Sequence, residues 1–227
     1  MLENPGTLGG RIVKPAKTVI CIDRDGTLIY DTEEHLFLGR DDGWKAQVKL
    51  LPYVIDGLKL LRTIPNSAIY MITNQPGIAI TDYPVLTLER AHEVCAYVVG
   101  QIKGLGADID GYFLCPHATP AYVEKKPGVN FDEKLVHECE CFKPAFGMVF
   151  SALDAEDIAP EDAKVYVIGD RATDVQTALN IRGMGILIPF ENQPGEEEKV
   201  KELDDQTRIY VARNLLEAAE FILAREG

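Results

Sequence analysis

Val19-Ile20-Cys21-Ile22-Asp23-Arg24-Asp25-Gly26-Thr27 is an apolar run that closes on two carboxylates one residue apart and then a Gly-Thr turn. An uninterrupted apolar run bounded by glycine is the pattern of an interior strand of a parallel sheet, covered on both faces. Open α/β sheets bind ligands outside the carboxyl ends of their strands. Side chains alternate along a strand, and that period puts Asp23 and Asp25 on one side. Two carboxylates held this close repel unless a cation sits between them or one takes a proton. The pair therefore points to a magnesium site with one acid free for covalent or proton-transfer work. An ordinary polar turn is written in the same letters, so the rest of the chain has to choose.

Working outward, Ala68 to Thr73, Asp110 to Cys115, Lys164 to Gly169, Gly185 to Pro189 and Arg208 to Ala212 read as further strands. Helical patterns fall between them at Val54 to Leu61 and Leu88 to Ile102, where Cys95 lies on the apolar face as a core residue. A third runs from Pro144, in a first turn, to about Ile158. A fourth opens on the capping-box spacing Thr173 to Gln176 and stops at Gly183, and a last one opens at Asn214. Alternating strands and helices predict an α/β fold, a doubly wound parallel sheet flanked by helices. Asp31 to Leu50 and His117 to Glu138 are polar and break the alternation. Each follows a strand end and overhangs the ligand edge, a small flap and a loop in place of a large cap. The expected organisation is a loose leader over 1–17 and one domain over 18–227. Glu191 to Asp205 is an acidic, solvated loop with a short helix.

The chain has 227 residues, 46% of them hydrophobic and 26% charged, with a formal net charge of −13. That charge repels nucleic acid, whose affinity for proteins comes mainly from Lys and Arg neutralising phosphates. No apolar run approaches the roughly 20 residues of a membrane span, and the amino-terminal stretch lacks the apolar core of a signal peptide. The expectation is a cytoplasmic protein with a small-molecule partner, no nucleic acid and no membrane; a monomer is compatible with this reading. Five cysteines without a secretion signal indicate metal or thiol chemistry rather than a disulfide framework.

Polar groups gather at several strand ends: Asp23 and Asp25; Thr73 and Asn74; the segment after Cys115; and Asp170, Arg171 and Asp174. Asp170 brings a third carboxylate to the edge where the first two sit, and magnesium needs only a few such oxygens. Read in order, Asp23-Arg24-Asp25-Gly26-Thr27, Thr73-Asn74-Gln75, Lys143-Pro144 and Gly169-Asp170-Arg171-Ala172-Thr173-Asp174 resemble the haloacid dehalogenase superfamily of phosphohydrolases, from about Thr18 to Pro189. The resemblance implies Asp23 as nucleophile and Asp25 as the group that protonates the leaving oxygen and then activates water. It implies Thr73 as a hydrogen-bond partner of the phosphoryl group, and Lys143 as the cation that offsets its charge and orients Asp23. Magnesium would be held by Asp23, the Asp25 carbonyl and Asp170, with Asp174 binding through water or orienting a ligand. Arg24, Asn74 and Arg171 join these residues as expected substrate contacts, Arg171 having a helix salt bridge as its bland alternative.

Cys115-Pro116-His117 and Cys139-Glu140-Cys141 pair three sulfurs with one imidazole, the donor set of a closed tetrahedral zinc site. His137 is an alternative ligand to His117 or Cys141. His35 and His92 have no evident partner. The arrangement resembles the zinc loop, about 115–141, of the histidinol-phosphate and heptose bisphosphate phosphatase branch, and there it would fix the position of Lys143. Phe142 departs from the heptose enzymes, which carry an arginine before the lysine. The segment between His117 and Cys139 is longer than the branch pattern and contains Lys125 and Lys126. The function expected is magnesium-dependent hydrolysis of a phosphomonoester of a small metabolite, of heptose bisphosphate or histidinol phosphate type, through an aspartyl-phosphate. The competing readings are a polynucleotide phosphatase and a non-catalytic, zinc-stabilised binding protein.

Overall fold

The computed structural model describes residues 17–31 and 37–226. The proposed leader up to residue 16, and His35 in the flap, lie outside the described residues. In chain order the elements are β1 (Lys17–Asp23), α1 (Trp44–Gln47), α2 (Val54–Leu61), β2 (Ser67–Asn74), α3 (Leu88–Gly104), β3 (Gly111–Cys115), α4 (Pro120–Glu124), α5 (Gly147–Ala155), β4 (Ala163–Gly169), α6 (Ala172–Asn180), β5 (Met184–Leu187), α7 (Glu196–Lys201), β6 (Ile209–Val211) and α8 (Leu215–Glu226). The six strands form one sheet in the order β3-β2-β1-β4-β5-β6, and every pairing is parallel. All carboxyl ends therefore share one edge, with the acidic strand β1 central.

Strand alternation divides the core into two layers. Ile20 and Ile22 of β1 pack with α2, α3 and α8 through Leu58, Leu61, Val98, Ile102 and Ile222. Val19 and Cys21 face the opposite side, against Met148, Val149, Leu153 and Ala178 of α5 and α6. Each layer removes apolar surface from water at roughly 25 cal/mol per Å². Cys95 is fully buried on α3, as its helical position predicts. The described part of the flap is anchored, because the buried Trp44 packs edge-on against Tyr97 of α3 with ring centroids 5.3 Å apart.

Four local expectations need correction. Lys17 is the first residue of β1, not the end of a leader. Pro144 is outside the helix, which begins at Gly147 after a cis Lys143–Pro144 bond and ends at Ala155. The Gly147 N–H is taken by the Glu140 carbonyl at 2.6 Å, so the chain closes a turn there before it can coil. The cap of helix α6 lies two residues before Thr173, since the Asp174 carboxylate accepts the Arg171 N–H at 3.1 Å and makes Arg171 the cap. The acidic segment is not wholly solvated either: buried Glu196 accepts the Ala172 N–H at 2.7 Å, a negative group at the positive end of α6.

Candidate active site

Asp23 ends β1, level with Ile72 on β2, so Thr73 and Asn74 rise just beyond it on one side. On the other side β4 ends at Gly169 and delivers Asp170. Asp25 is past the strand, in a tight turn where Leu28 and Ile29 N–H groups both donate to the Arg24 carbonyl. Strand alternation therefore does not bring the two acids together; the turn does. Gly26 makes it possible, with φ +85°, and a Cβ there would lie 2.7 Å from the Asp170 carboxyl carbon. Gly169 is similarly constrained, because a side chain would run into the Asp174 carboxylate.

Lys143 enters this edge from the loop before α5 and is buried between carboxylates. Its Nζ pairs with Asp23 Oδ1 and with Asp174 Oδ1, the latter at 2.6 Å. Asn74 holds the lysine's backbone from β2: Oδ1 accepts the Lys143 N–H at 2.9 Å and Nδ2 donates to its carbonyl at 3.2 Å. Both ends of the Asn74 amide are thus engaged with Lys143, and Asp174 is engaged with Lys143 and the Arg171 N–H.

Burial pushes the Asp23 carboxyl up to about 7; Lys143 pulls against this, while Asp174 and Asp25 add to it. Asp170 is also raised, by burial first and then by Asp23 and Asp174. Among the described residues neither Asp170 oxygen has a hydrogen-bond partner, although the residue is fully buried, and Arg171 Nε comes only to 3.8 Å. Such orphaned oxygens carry a large desolvation cost unless something compensates them, and hard oxygens converging on a point are what a magnesium ion takes. Asp25 is the opposite case. Burial raises it, but the Arg24 guanidinium outweighs this and, with Gln75, holds the carboxyl below its usual value.

Arg24 is 1% exposed and grips Asp25 with two donors, Nε to Oδ1 at 2.9 Å and Nη2 to Oδ2 at 2.8 Å, while Nη1 reaches Cys95 Sγ at 3.5 Å. Its guanidinium therefore serves Asp25. Arg171 is half exposed at the mouth and reaches Asp31 Oδ2 at 3.4 Å. Gln75 and Asp31 belong to this constellation and were not singled out from the sequence. Gln75 could have been, since residues 73 and 75 of the polar run after β2 share a side if the alternation continues. Asp31 carries no local signal, because only the fold brings it to Arg171.

Beside this edge, the ligand atoms of Cys115, His117, Cys139 and Cys141 all lie within 4.8 Å of one another. Tetrahedral sites with Zn–S bonds of about 2.3 Å separate their sulfurs by about 3.8 Å. Cys115 to Cys139 is 3.6 Å and Cys139 to Cys141 is 3.5 Å, whereas Cys115 to Cys141, at 2.7 Å, would have to widen around an ion. His117 Nδ1 is 3.2 Å from Cys141 Sγ. Hydrogen bonding with Cys115 draws the Cys141 thiol down to about 5, toward the thiolate that binds metal. His137 is outside the cluster and packs its ring on His117, centroids 4.3 Å apart. Gly147 seats the cluster's turn, because a Cβ there would meet the Glu140 carbonyl carbon at 2.8 Å. Phe142 turns edge-on to Tyr122 of α4, with centroids 6.1 Å apart. Among the described residues, no helix is long and apolar enough to cross a membrane.

No family model matches the chain. It is 30% identical over 166 residues to the histidine biosynthesis bifunctional protein HisB of Baumannia cicadellinicola, a match that covers 73% of this chain and 39% of that protein. The chain thus spans about two fifths of that relative's length. It is 31% identical over 166 residues to the D-glycero-beta-D-manno-heptose-1,7-bisphosphate 7-phosphatase of Escherichia coli K12, covering 72% of this chain and 75% of that enzyme. The fold matches the crystal structure of D,D-heptose 1,7-bisphosphate phosphatase from B. bronchiseptica complexed with magnesium and phosphate, with a TM-score of 0.66 at 20% identity over 92% of this chain and 99% of that one. With a relative of this identity and coverage and with this fold, the chain belongs to the histidinol-phosphate and heptose bisphosphate phosphatase branch of the haloacid dehalogenase superfamily.

Proposed function

We propose that the protein is a magnesium-dependent phosphatase that hydrolyses a phosphomonoester of a small metabolite, of heptose bisphosphate or histidinol phosphate type. The observation that carries this reading is the buried group of Asp23, Asp170 and Asp174 around Lys143, with both Asp170 oxygens lacking a hydrogen bond among the described residues. In this reading an Asp23 oxygen attacks phosphorus, the bond from phosphorus to the leaving oxygen breaks, and that oxygen takes a proton from Asp25. Water then attacks the aspartyl-phosphate and gives its proton to the Asp25 carboxylate, releasing phosphate and restoring Asp23. The ionised state of Asp25 in the free protein suits the second half. The charge of the incoming phosphoryl group raises the carboxyl and protonates it for the first.

Thr73 donates its hydroxyl to the phosphoryl group, and Lys143 offsets charge on the phosphoryl oxygens, the main task of catalysis in phosphoryl transfer. Asp174 and Asn74 hold Lys143 in place from two sides. Magnesium, bound by Asp23, the Asp25 carbonyl and Asp170, would supply charge stabilisation for the same oxygens and favour the ionised nucleophile. Zinc suits the sulfur-rich cluster and would have a structural task there. Arg171 contacts the rest of the substrate at the mouth. The net charge of −13 supports a small metabolite over a nucleic acid, and the free thiols among the described residues support a cytoplasmic setting. Phosphate release from a panel containing histidinol phosphate and heptose bisphosphate tests the proposal. The expected result is magnesium-dependent turnover that Asp23→Asn abolishes; turnover surviving in Asp23→Asn excludes the covalent route.

A further inference from the structure

Gln75 is 3% exposed, and its side chain joins two strand ends through one amide group. Nε2 donates to Asp25 Oδ2 at 2.9 Å and to Thr73 Oγ1 at 2.8 Å. A carboxylate can only accept, so the amide nitrogen must face Asp25, and its two hydrogens are then both committed. The Thr73 oxygen accepts one of them, which leaves its own proton to be donated elsewhere. The Gln75 backbone is fixed in turn, its N–H donating at 2.7 Å to the carbonyl of Cys115 at the end of β3. With Arg24 holding both Asp25 oxygens from the opposite side, the carboxylate sits in a three-donor cradle whose members are themselves buried.

We infer that Gln75 is a positioning residue that aims Asp25 at the leaving-group oxygen and keeps the Thr73 hydroxyl turned toward the phosphoryl group. The inference rests on the phosphatase reading above. Proton transfer to the leaving group contributes about 10²–10⁴ in rate, and a displacement of about 1 Å at such a group costs up to about 10²-fold. The help matters for an alkyl phosphate, whose alkoxide leaves badly. A nitrophenyl phosphate expels a stable phenolate that needs no proton. Misdirecting Asp25 therefore slows formation of the aspartyl-phosphate from the first ester and largely spares its formation from the second, whereas the later hydrolysis of the aspartyl-phosphate, which also uses Asp25, and general damage to the site weigh on both alike.

The test compares the single-turnover rate of leaving-group release, which precedes hydrolysis of the aspartyl-phosphate, from an alkyl phosphate substrate of the protein and from p-nitrophenyl phosphate for wild type, Gln75→Met, Gln75→Glu and Asp25→Asn. Gln75→Met removes both donors at similar volume; Gln75→Glu keeps the shape and, as a carboxylate, cannot donate. Both are expected to lose about 10–100-fold on the alkyl ester and less than about 5-fold on the aryl ester, and the retained aryl turnover shows that the variant is folded. Equal losses on the two esters in the Gln75 variants, with a clear split in Asp25→Asn, overturn the inference alone. No split in any variant overturns it together with the acid role of Asp25. A wild-type protein inert to both esters overturns it together with the function proposed above.

Discussion

Removing the buried ammonium of Lys143 has a consequence whose size and pH dependence follow from its neighbours. In Lys143→Met the buried Asp23, Asp170 and Asp174 lose the cation that pairs with two of them, and Arg171 is half exposed and 3.8 Å from Asp170. Deleting one partner of a buried ion pair costs about 3–5 kcal/mol, because a charge remains buried and uncompensated. Protonation limits that cost. Asp23 already stands at about 7 with the lysine present, and Lys143 is what holds it down against burial, so its loss carries the carboxyl higher. The variant's native state then binds about one more proton than its unfolded state near neutrality. A group raised on folding stabilises below its unfolded value and loses that contribution as pH rises through its folded value. The slope is about 1.4 kcal/mol per pH unit for one proton, and wild-type Asp23, at about 7, already takes up about half of that proton between pH 8 and pH 6, so the deficit against wild type should shrink by about 1–1.5 kcal/mol over that range. Urea unfolding can be followed by fluorescence of the chain's one tryptophan, Trp44, which is 2% exposed in the larger core layer. Magnesium should restore more stability to the variant than to wild type, since it replaces a lost positive charge; full occupancy at 100 times Kd is worth about 2.7 kcal/mol. A deficit constant to within about 0.5 kcal/mol between pH 6 and 8 would refute the account of a charge-balanced acid cluster.

Three further outcomes are expected. Protein purified without added metal should contain about one zinc per chain by elemental analysis, and Cys141→Ser should lower both zinc content and kcat; a metal-free chain with all four ligands freely modified rules out the cluster as a metal site. Gly26→Ala combines a φ of +85° with a Cβ 2.7 Å from the Asp170 carboxyl carbon, so it should abolish the magnesium-dependent rise in Tm, and a retained rise would show that Asp170 is not held by this turn. Glu226 accepts hydrogen bonds from Tyr166 at 2.7 Å, Lys164 at 2.9 Å and Thr18 at 3.1 Å. Burial raises its carboxyl, but these partners outweigh burial and leave it below the usual value. Its stabilisation is therefore full above the unfolded value of about 4.3 and lost as pH falls through the folded one. Glu226→Gln should cost about 1–2 kcal/mol at pH 7 and much less at pH 3 in denaturant titrations.

Legibility in the sequence followed the strength of local signals. The strands and the long helices announce themselves by period, and α2 occupies the expected residues Val54–Leu61. The sheet edge was legible too, because a parallel sheet leaves no choice about where Asp23, Thr73 and Asp170 meet. What was not legible is set by contacts across the chain. Nothing in Pro144 says that its neighbour Gly147 is claimed by Glu140, and nothing in Thr173 says that Asp174 reaches back to the Arg171 N–H. Arg24 reads as a substrate contact between two acids, yet its guanidinium turns inward to Asp25 and Cys95, which is 71 residues away.

The placing of Lys143 joins these observations. It is on no strand or helix, at the end of the long excursion between β3 and α5, so a regular ladder does not fix it. Closing a loop as long as the 24 residues that separate Cys115 from Cys139 costs about 3 kcal/mol in chain entropy. The thiol cluster spans that closure, the Glu140 carbonyl ties its turn to Gly147, and Asn74 pins the lysine's own peptide from β2. Three restraints of independent origin thus converge on a single backbone position, and Cys115 also anchors Gln75. An ion bound to the cluster would therefore act on both the cation and the proton-transfer side of the acid group without touching either. If the cluster holds the proposed zinc, this gives a physical reason for the thiol cluster and the buried lysine to stand only two residues apart.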